Sequence, residues 1–479
     1  MRLFLYDVLV SFLRLVTRVF FRSIEVSGLE NVPKEGAVVL VGNHPNSLLD
    51  PVLISTTCRR RVHFAAKEPL FHGPLRPFLW IAGSVPVKRR QDQVEGAAED
   101  AAVAGAPTRV DNSAAFDALT AVLKQGEAFG IFPEGISHTR PELAPLKSGA
   151  ARIVLSAGCP VQIVPCGLSY RQRDRMRSRV LVQFGSPITV GGPDDPWPKA
   201  AETDPLAASK GLTASIAIAL RAQTINAADF DTLRVLEACR RLYRPPGVEL
   251  TLAEQAELMR RFIDGWERLH DDDDVKGLYR DVAGYLQELR ALSISDGELR
   301  GALSWWEKAL RLVDHILFLA VLVPLALPGV VIHLPVLAAA VVASRTLTTR
   351  GDVRATIQMV AVTSLTFVAY GLAAGLAYAA ATTWEGGVLA ATSTLGLLLL
   401  SGAATLRVLD GQGQIRRGLR TFLTLLHFDR ELIALRARRD ALRARLLAVV
   451  DKHLGDLERI IPEALHDDAA PWLDDDDAH

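Results

Sequence analysis

The sequence lacks an excess of either charge, and it lacks any spacing of cysteines that would hold a metal. Lysine and arginine together number 54, and aspartate and glutamate also number 54, so the formal net charge is zero. A chain without a global basic field gives no argument for binding nucleic acid. The four cysteines show no Cys-x-x-Cys pair, which indicates reduced core thiols in a cytosol-facing protein. They are Cys58, Cys159, Cys166 and Cys239.

Polar residues are scarcer than in a typical soluble enzyme. Hydrophobic residues make up 49% of the 479 residues and the mean hydropathy is +0.19, so a membrane region is needed to explain the composition. We predict this region over residues 312–410. The apolar run Ile316–Ala343 is too long for one crossing of about 20 residues and too short for two, and prolines interrupt it. The sequence therefore predicts a broken hairpin over 316–343, followed by crossing helices over 357–380 and 388–406.

Positive charges flank this membrane region on one side only. The turn Ala381–Gly387 carries Glu385 and no lysine or arginine. The flanking cations are Lys308, Arg311, Arg345, Arg350, Arg354, Arg407, Arg416 and Arg417. Because positive residues favour the cytoplasmic side, only the short turn is predicted to lie outside. We therefore predict an integral membrane protein whose large domain lies on the cytoplasmic side of the membrane.

The first 22 residues have the pattern of an amphipathic helix. Charged residues recur along one helical face, and apolar residues occupy the opposite face. The charges are Asp7, Arg14, Arg18 and Arg22, and the apolar residues are Leu5, Leu9, Phe12, Leu13, Val16 and Phe20. We predict that residues 1–22 lie in the headgroup plane of a membrane. The alternative is a helix packed on the core of the following domain.

The remaining pattern divides the chain into three further regions. Residues 23–190 alternate short apolar strands with helical segments, which predicts an α/β domain. Residues 191–311 are predicted to form an α-helical domain. Residues 411–479 are predicted to form a cytosolic helical hairpin with an acidic tail, and a homodimer through this hairpin is left open. The predicted strands are Ala37–Val41, Ser84–Val87, Phe129–Phe132, Val161–Pro165 and Val180–Phe184.

A histidine and an aspartate follow the first of these strands. Ala37–Val41 is β-branched and apolar, and Pro45 favours a helix start directly after His44. Asp50 comes within the first turns of that helix. An imidazole held at a strand end, with a carboxylate close behind it, is an arrangement used in general acid–base catalysis. The alternative is a helix start with an incidental histidine and aspartate.

A second carboxylate follows a later strand in the same way. In Gly130–His138 an apolar run ends in the sequence Phe-Pro-Glu-Gly, with Glu134 and Gly135 in the turn. Together with His44 and Asp50, this motif resembles the glycerolipid acyltransferases. Further blocks in the family's order and spacing are Gly83–Arg89, Pro145–Arg152 and Ile163–Gly167.

The spacing of the first motif resembles one branch of this family. Five residues separate His44 and Asp50, whereas most members have four between these positions. The longer spacing resembles the fungal-type glycerol-3-phosphate/dihydroxyacetone-phosphate acyltransferases. Downstream segments with the same resemblance are Cys239–Tyr243, Glu257–Phe262 and Gly351–Thr356.

The resemblance implies acyl transfer from a thioester, acyl-CoA or acyl-carrier protein, to a hydroxyl of glycerol-3-phosphate or dihydroxyacetone phosphate. It implies a base at His44, supported by Asp50, and no metal or bound cofactor. It implies that a cation holds the acceptor phosphate, with Arg89 at the family position and Lys88 beside it. The residues implied to orient the acceptor are Glu134, Gly135 and Ser137. The implied partners are membrane lipid, the thioester and the glycerol-phosphate acceptor.

Two other functions remain open at this point. One is acylation of 1-acylglycerol-3-phosphate, which makes phosphatidate. The other is a non-catalytic membrane protein that binds lipid on an acyltransferase fold, in which Arg89 would belong to a basic surface patch. The second is disfavoured because the motif residues are all intact, and drift in a non-catalytic protein would have no reason to spare all four of them, His44, Asp50, Glu134 and Arg89.

Overall fold

A computed structural model describes residues 1–88, 111–192, 195–245, 248, 250–292, 294, 296–300, 305–427 and 429–454. The chain forms two compact units. The first comprises Met1–Ile225 and Thr348–Thr356, and the second comprises Asn226–Leu347 and Ile357–His479.

The first unit is built on a mostly parallel sheet of eight strands. Its order is β1-β7-β6-β2-β5-β3-β4, with β8 paired to β6. Only the pairs β6/β7 and β6/β8 are antiparallel. The strands are β1 (Ser23–Ser27), β2 (Ala37–Gly42), β3 (Val62–Lys67), β4 (Val85–Val87), β5 (Ala128–Ile131), β6 (Val161–Tyr170), β7 (Arg179–Phe184) and β8 (Ile188–Val190).

Strand β2 lies in the middle of the sheet, and every residue in it is buried. It pairs in parallel with β5 on one side and β6 on the other. All five predicted strands are present. The sequence did not predict β1, β3 and β8, since β1 is a polar edge strand and β3 carries His63 and Lys67 among its apolar residues.

Seven helices are described in this unit. They are α1 (Arg2–Phe20), α2 (Leu49–Thr57), α3 (Arg76–Ile81), α4 (Ser113–Lys124), α5 (Gly149–Leu155), α6 (Pro196–Thr203) and α7 (Pro205–Arg221). The sequence predicts a domain boundary at residue 190, and in the structure the compact unit continues to Ile225. Leu212, Ile216 and Leu220 of α7 are buried in the core beside the sheet, and each such side chain stabilises the fold by about 1.5–3 kcal/mol.

Helix α1 has two apolar faces. Tyr6, Leu9 and Phe20 are buried in the unit, and the Tyr6 hydroxyl accepts a hydrogen bond from the backbone N–H of Val62. Large apolar side chains on the rest of the helix are exposed to solvent. They are Leu3, Phe4, Val8, Leu15 and Val19. The helix therefore packs on the domain and also offers an apolar surface, so its placement at a membrane surface stays a prediction.

The second unit contains a cluster of soluble-type helices. They are α8 (Phe230–Tyr243), α9 (Leu252–Leu269), α10 (Asp273–Ala291), α11 (Asp296–Arg300) and α15 (Asp429–Leu454). A buried polar group ties three of them together. Arg439 and Tyr285 both donate to Asp296 Oδ1, at 2.9 and 2.8 Å.

The predicted acidic tail at the end of the chain lies outside the described residues.

Three helices of the second unit's membrane region are long and apolar enough to cross a membrane. They are α12 (Trp305–Thr346), α13 (Gly351–Ala379) and α14 (Trp384–His427). Their candidate spans are Ile316–Thr346, Gly351–Ala379 and Trp384–Gly411. The helices predicted over 357–380 and 388–406 are found with longer bounds. Helix α14 continues to His427, and the helical hairpin predicted over residues 411–479 stays a prediction.

The sequence predicts a broken hairpin over 316–343, and in the structure α12 stays helical through Pro324, Pro328 and Pro335. Ser401 of α14 repairs the hydrogen bonding that the prolines interrupt. Its hydroxyl accepts from the Gly329 N–H at 2.7 Å and donates to the Ala326 carbonyl at 2.8 Å. Neighbouring hydroxyl groups commonly rescue proline sites in membrane helices in this way.

Helix α12 packs antiparallel to α14 along this stretch. Leu319 lies beside Gly411, and Gly329 lies ten positions earlier on α14, at Ser401. The His333 ring lies back against Gly329, and its Nδ1 is 3.3 Å from the Thr405 hydroxyl, one turn from Ser401.

Candidate active site

Two loops meet at the carboxyl edge of the central strands. β2 and β5 are parallel neighbours with Val41 opposite Ile131, so the residues that follow them lie at the same edge of the sheet. His44 follows β2 and Glu134 follows β5. Ligands of open α/β sheets bind at this edge.

His44 and Asp50 form a buried pair. His44 Nδ1 lies 2.8 Å from Asp50 Oδ2. The five intervening residues are accommodated by a tight turn, in which Ser47 adopts a left-handed conformation with φ of 45°. The backbone N–H of Asn46 donates to Asp50 Oδ2 at 2.7 Å and so holds the turn against the carboxylate.

Asp50 is fully buried in the first turn of α2. Burial raises the pKa of this carboxyl, and hydrogen bonds from His44, Tyr170 and Asn46 oppose the shift. The Tyr170 hydroxyl donates to Asp50 Oδ1 at 2.6 Å. Burial and the neighbouring Asp50 raise the pKa of Tyr170 well above its usual range, so the phenol stays protonated and remains a donor. Tyr170 was not among the predicted site residues.

The His44 ring has one nitrogen left for chemistry. It stacks on Phe132 with ring centroids 4.1 Å apart, and its side chain is 11% exposed. Because Asp50 accepts at Nδ1, the neutral ring carries its proton there and its lone pair at Nε2. No hydrogen bond to Nε2 is found among the described residues. The imidazole is therefore arranged to accept a proton from a substrate.

Glu134 fastens the second loop to the first. Its carboxylate accepts the backbone N–H groups of His44 and Ala144, each at 2.8 Å, and also contacts His138 Nε2. The side chain is 1% exposed. Glu134 therefore positions the loop from within the protein, and direct contact with an acceptor stays a prediction.

Gly135 allows the turn after Glu134. Its φ of +72° is left-handed, and a Cβ there would collide with the Lys147 side chain. Lys147 belongs to the family-like block Pro145–Arg152, and the fold places its ammonium beside this turn. The sequence offered no way to know that this lysine, among several nearby cations, would reach the turn.

The predicted phosphate-binding block is only partly described. Lys88 is exposed, and its backbone exchanges hydrogen bonds with the Asn112 side chain. Arg89 lies outside the described residues. Its contact with the acceptor phosphate therefore stays a prediction, as does that of Lys88.

Arg173 brings a further cation to the site. Burial lowers the pKa of this half-buried guanidinium, and the carboxylates of Asp174, Asp50 and Asp352 raise it. Its backbone carbonyl accepts from the Asn46 side chain at 2.8 Å, which ties it to the histidine turn. No sequence signal marked Arg173, because this residue follows β6 and comes near the histidine turn only once β6 has paired with β2.

Within the described part of the chain, no cluster of three or more possible metal ligands was found.

Two family models match the chain. The model described as acyltransferase matches residues 23–169, which include both loops. The model described as the C-terminal domain of glycerol-3-phosphate acyltransferase 2 matches residues 235–455. These matches confirm the family resemblance of the sequence motifs.

Relatives of known sequence agree with these matches. Glycerol-3-phosphate O-acyltransferase 2 of Saccharomyces cerevisiae is 27% identical over 69% of this chain and 58% of its own length. Glycerol-3-phosphate O-acyltransferase 1 of the same yeast is 33% identical over 48% of this chain and 31% of its own length. A crystal structure of the 1-acyl-sn-glycerophosphate acyltransferase PlsC of Thermotoga maritima has a TM-score of 0.29 and 21% identity, covering 44% of this chain and 81% of that one. The chain thus spans less than two thirds of the length of the yeast proteins.

Proposed function

We propose that this chain, which matches an acyltransferase model over residues 23–169 and a glycerol-3-phosphate acyltransferase 2 C-terminal model over residues 235–455, acylates glycerol-3-phosphate or dihydroxyacetone phosphate. The observation that carries the proposal is the His44–Asp50 pair, 2.8 Å apart and fastened by Glu134 to the neighbouring loop. The acyl donor is a thioester of coenzyme A or of acyl-carrier protein. The product is an acylglycerol phosphate for glycerolipid synthesis.

The geometry supports a direct transfer. His44 Nε2 removes the proton of the acceptor hydroxyl as its oxygen attacks the thioester carbonyl. Asp50 stabilises the imidazolium that forms, since its carboxylate is already at Nδ1. The tetrahedral intermediate then expels the thiolate, which takes the proton back from His44. One ester bond forms, one thioester bond breaks, and the histidine ends neutral.

The cations near the site favour a small phosphorylated acceptor. Arg173 and Lys147 lie beside the two loops, and Arg89 is predicted to contribute a third positive charge. An acceptor without an acyl chain must gain most of its binding energy from its phosphate. The alternative acceptor, 1-acylglycerol-3-phosphate, would gain much of it from its buried chain.

We expect the purified protein to acylate glycerol-3-phosphate or dihydroxyacetone phosphate in preference to 1-acylglycerol-3-phosphate. The acceptor KM should rise as ionic strength is raised, because salt screens phosphate–cation attraction. Initial rates with the three acceptors, each at two salt concentrations, check this. Efficient use of 1-acylglycerol-3-phosphate alone would show that the second acylation is the true reaction. Absence of transfer to all three would favour the non-catalytic lipid-binding function.

We propose further that the acyltransferase domain faces the cytoplasm. The segment Thr348–Thr356, which joins α12 to α13 and includes the first residues of α13, belongs to the same unit as the two loops of the site. Arg311 precedes the apolar run of α12 and Arg345 follows it, and this distribution of cations supports a path that returns to the side from which it entered. Exposed apolar residues of α1, together with Phe78 and Trp80, supply a surface suited to the membrane interface. Homodimer formation stays a separate prediction.

This topology predicts the outcome of cysteine labelling from outside the cell. A cysteine placed in Ala381–Gly387 should react with an impermeant maleimide, whereas cysteines at Gly329 and Arg350 should not. Reaction at each position is measured before and after the membrane is permeabilised. Free labelling at Gly329 from outside would show that α12 crosses completely, and labelling at Arg350 would place the catalytic loops on the outer side.

A further inference from the structure

A segment from between two membrane helices lies against the acceptor loop. Thr348–Thr356 follows α12 and leads into α13, yet it packs with the α/β unit. The contact is polar: the Ser137 hydroxyl donates a hydrogen bond to Asp352 Oδ2, across 215 positions of sequence. Ser137 stands in the turn that follows Glu134, so this segment reaches the catalytic edge of the sheet.

Arg350 and Asp352 form a fixed pair in this segment. Arg350 Nη2 and Nε donate to the two oxygens of Asp352 at 2.7 and 3.3 Å. Arg350 Nη2 also lies 3.3 Å from the Ser137 hydroxyl. The Asp352 side chain is 7% exposed and the Arg350 side chain is 56% exposed. The carboxylate is thus a buried anchor, and the guanidinium it orients remains accessible to a solute.

The chain of contacts from Asp352 to His44 is short. Ser137 precedes His138, whose backbone N–H donates to the carbonyl of His44 at 3.1 Å. Arg173 is tied to the histidine turn through its backbone carbonyl, which accepts from the Asn46 side chain at 2.8 Å, and the carboxylates of Asp50 and Asp352 both act to raise its pKa. Arg350 and Arg173 therefore bring two guanidinium groups to the neighbourhood of one pair of catalytic loops.

We propose that Thr348–Thr356 completes the acceptor site, with Arg350 binding the phosphate of the acceptor and Asp352 acting as its positioning residue. The proposal rests on the acyl-transfer function proposed above. Arginine suits this task because its planar donors match phosphate oxygens, and a carboxylate behind it fixes the direction of those donors. The hydroxyl of Ser137 holds Asp352, and its predicted contact with the acceptor stays a prediction.

The test compares four full-length variants with the wild type. Arg350→Gln should raise the KM for the acceptor about ten- to a hundredfold, the effect of losing a charge-assisted hydrogen bond, while the KM for the thioester stays the same. Asp352→Ala should raise the acceptor KM in the same direction, and Asp352→Asn should raise it less, because the amide oxygen still accepts from Ser137. The control is Arg345→Gln, which removes an exposed arginine at the end of α12 and should change neither constant.

A binding readout separates this site from the catalytic function. Inorganic phosphate should raise the melting temperature of the wild type and of Arg345→Gln, and it should do so less for Arg350→Gln. If no acceptor is acylated but this difference is seen, the catalytic proposal fails and the phosphate site stands. If transfer proceeds and Arg350→Gln alters neither the acceptor KM nor the phosphate response, the site is wrong.

A phospholipid headgroup offers the same phosphate chemistry, so the assays are repeated in nanodiscs. Phosphatidylcholine discs are compared with discs that also contain phosphatidylglycerol. An acceptor KM effect of Arg350→Gln that is equal in both supports the proposal. A variant that loses its response to phosphatidylglycerol while keeping the normal acceptor KM would assign Arg350 to lipid and overturn it. If Asp352→Ala does not fold, Arg350→Gln still decides, because it changes only a partly exposed side chain.

Discussion

Replacing His44 with alanine is expected to lower kcat by about 10²–10⁴-fold, the contribution of a positioned general base. The physical reason is that the described site leaves a single imidazole nitrogen, Nε2, to accept the hydroxyl proton. Folding should survive, because the loop is held through the backbone N–H and carbonyl of residue 44, which alanine retains. Steady-state rates with saturating acceptor and thioester provide the measurement.

The matched control for this change lies in the same unit. His63 also pairs with a carboxylate, Glu127, at 2.7 Å, but its side chain is 21% exposed and it lies on β3, away from the two loops. His63→Ala should leave kcat within a few-fold of the wild type. Comparable losses in both variants would indicate general destabilisation, and normal kcat in His44→Ala would remove the histidine from the reaction.

Asp50→Asn is expected to lower kcat by a similar factor, about 10²–10⁴, although the side chain keeps its size. An asparagine amide can donate to Nδ1, which favours the tautomer with its proton at Nε2, and it no longer stabilises an imidazolium. The Tyr170→Phe variant removes one hydrogen bond to Asp50 and leaves the charge, so its loss should be no more than about tenfold. Acceptor and thioester KM values should change little in Asp50→Asn. A kcat within threefold of the wild type would show that the pair does not act together.

The central strands and the two catalytic loops could be predicted from sequence, since each signal is local. Ala37–Val41 is a continuous apolar run, and Pro45 fixes the helix start that carries Asp50. Once β2 and β5 are parallel neighbours, the residues that follow them must meet at one edge of the sheet. Local patterns were therefore enough to bring His44 and Glu134 together.

Other features depend on contacts that no local pattern encodes. Asp352 lies 215 positions from Ser137 in the sequence. Arg173 is placed beside the histidine turn by the hydrogen bond that its backbone carbonyl accepts from the Asn46 side chain. The continuity of α12 depends on Ser401, which supplies the hydrogen bonds that the prolines cannot make. From sequence alone the prolines predict a break in the apolar run, whereas hydrogen bonds from another helix allow it to stay helical.

The most direct test of the central claim is product formation by the purified full-length protein. Isotope-labelled glycerol-3-phosphate and an acyl-CoA are incubated with the wild type and with His44→Ala, and the products are identified by mass spectrometry. We predict labelled acylglycerol phosphate from the wild type, in amounts equal to the free coenzyme A released, and at least a hundredfold less from the variant. Thioester cleavage without any labelled ester, or equal ester formation by both proteins, would contradict the account.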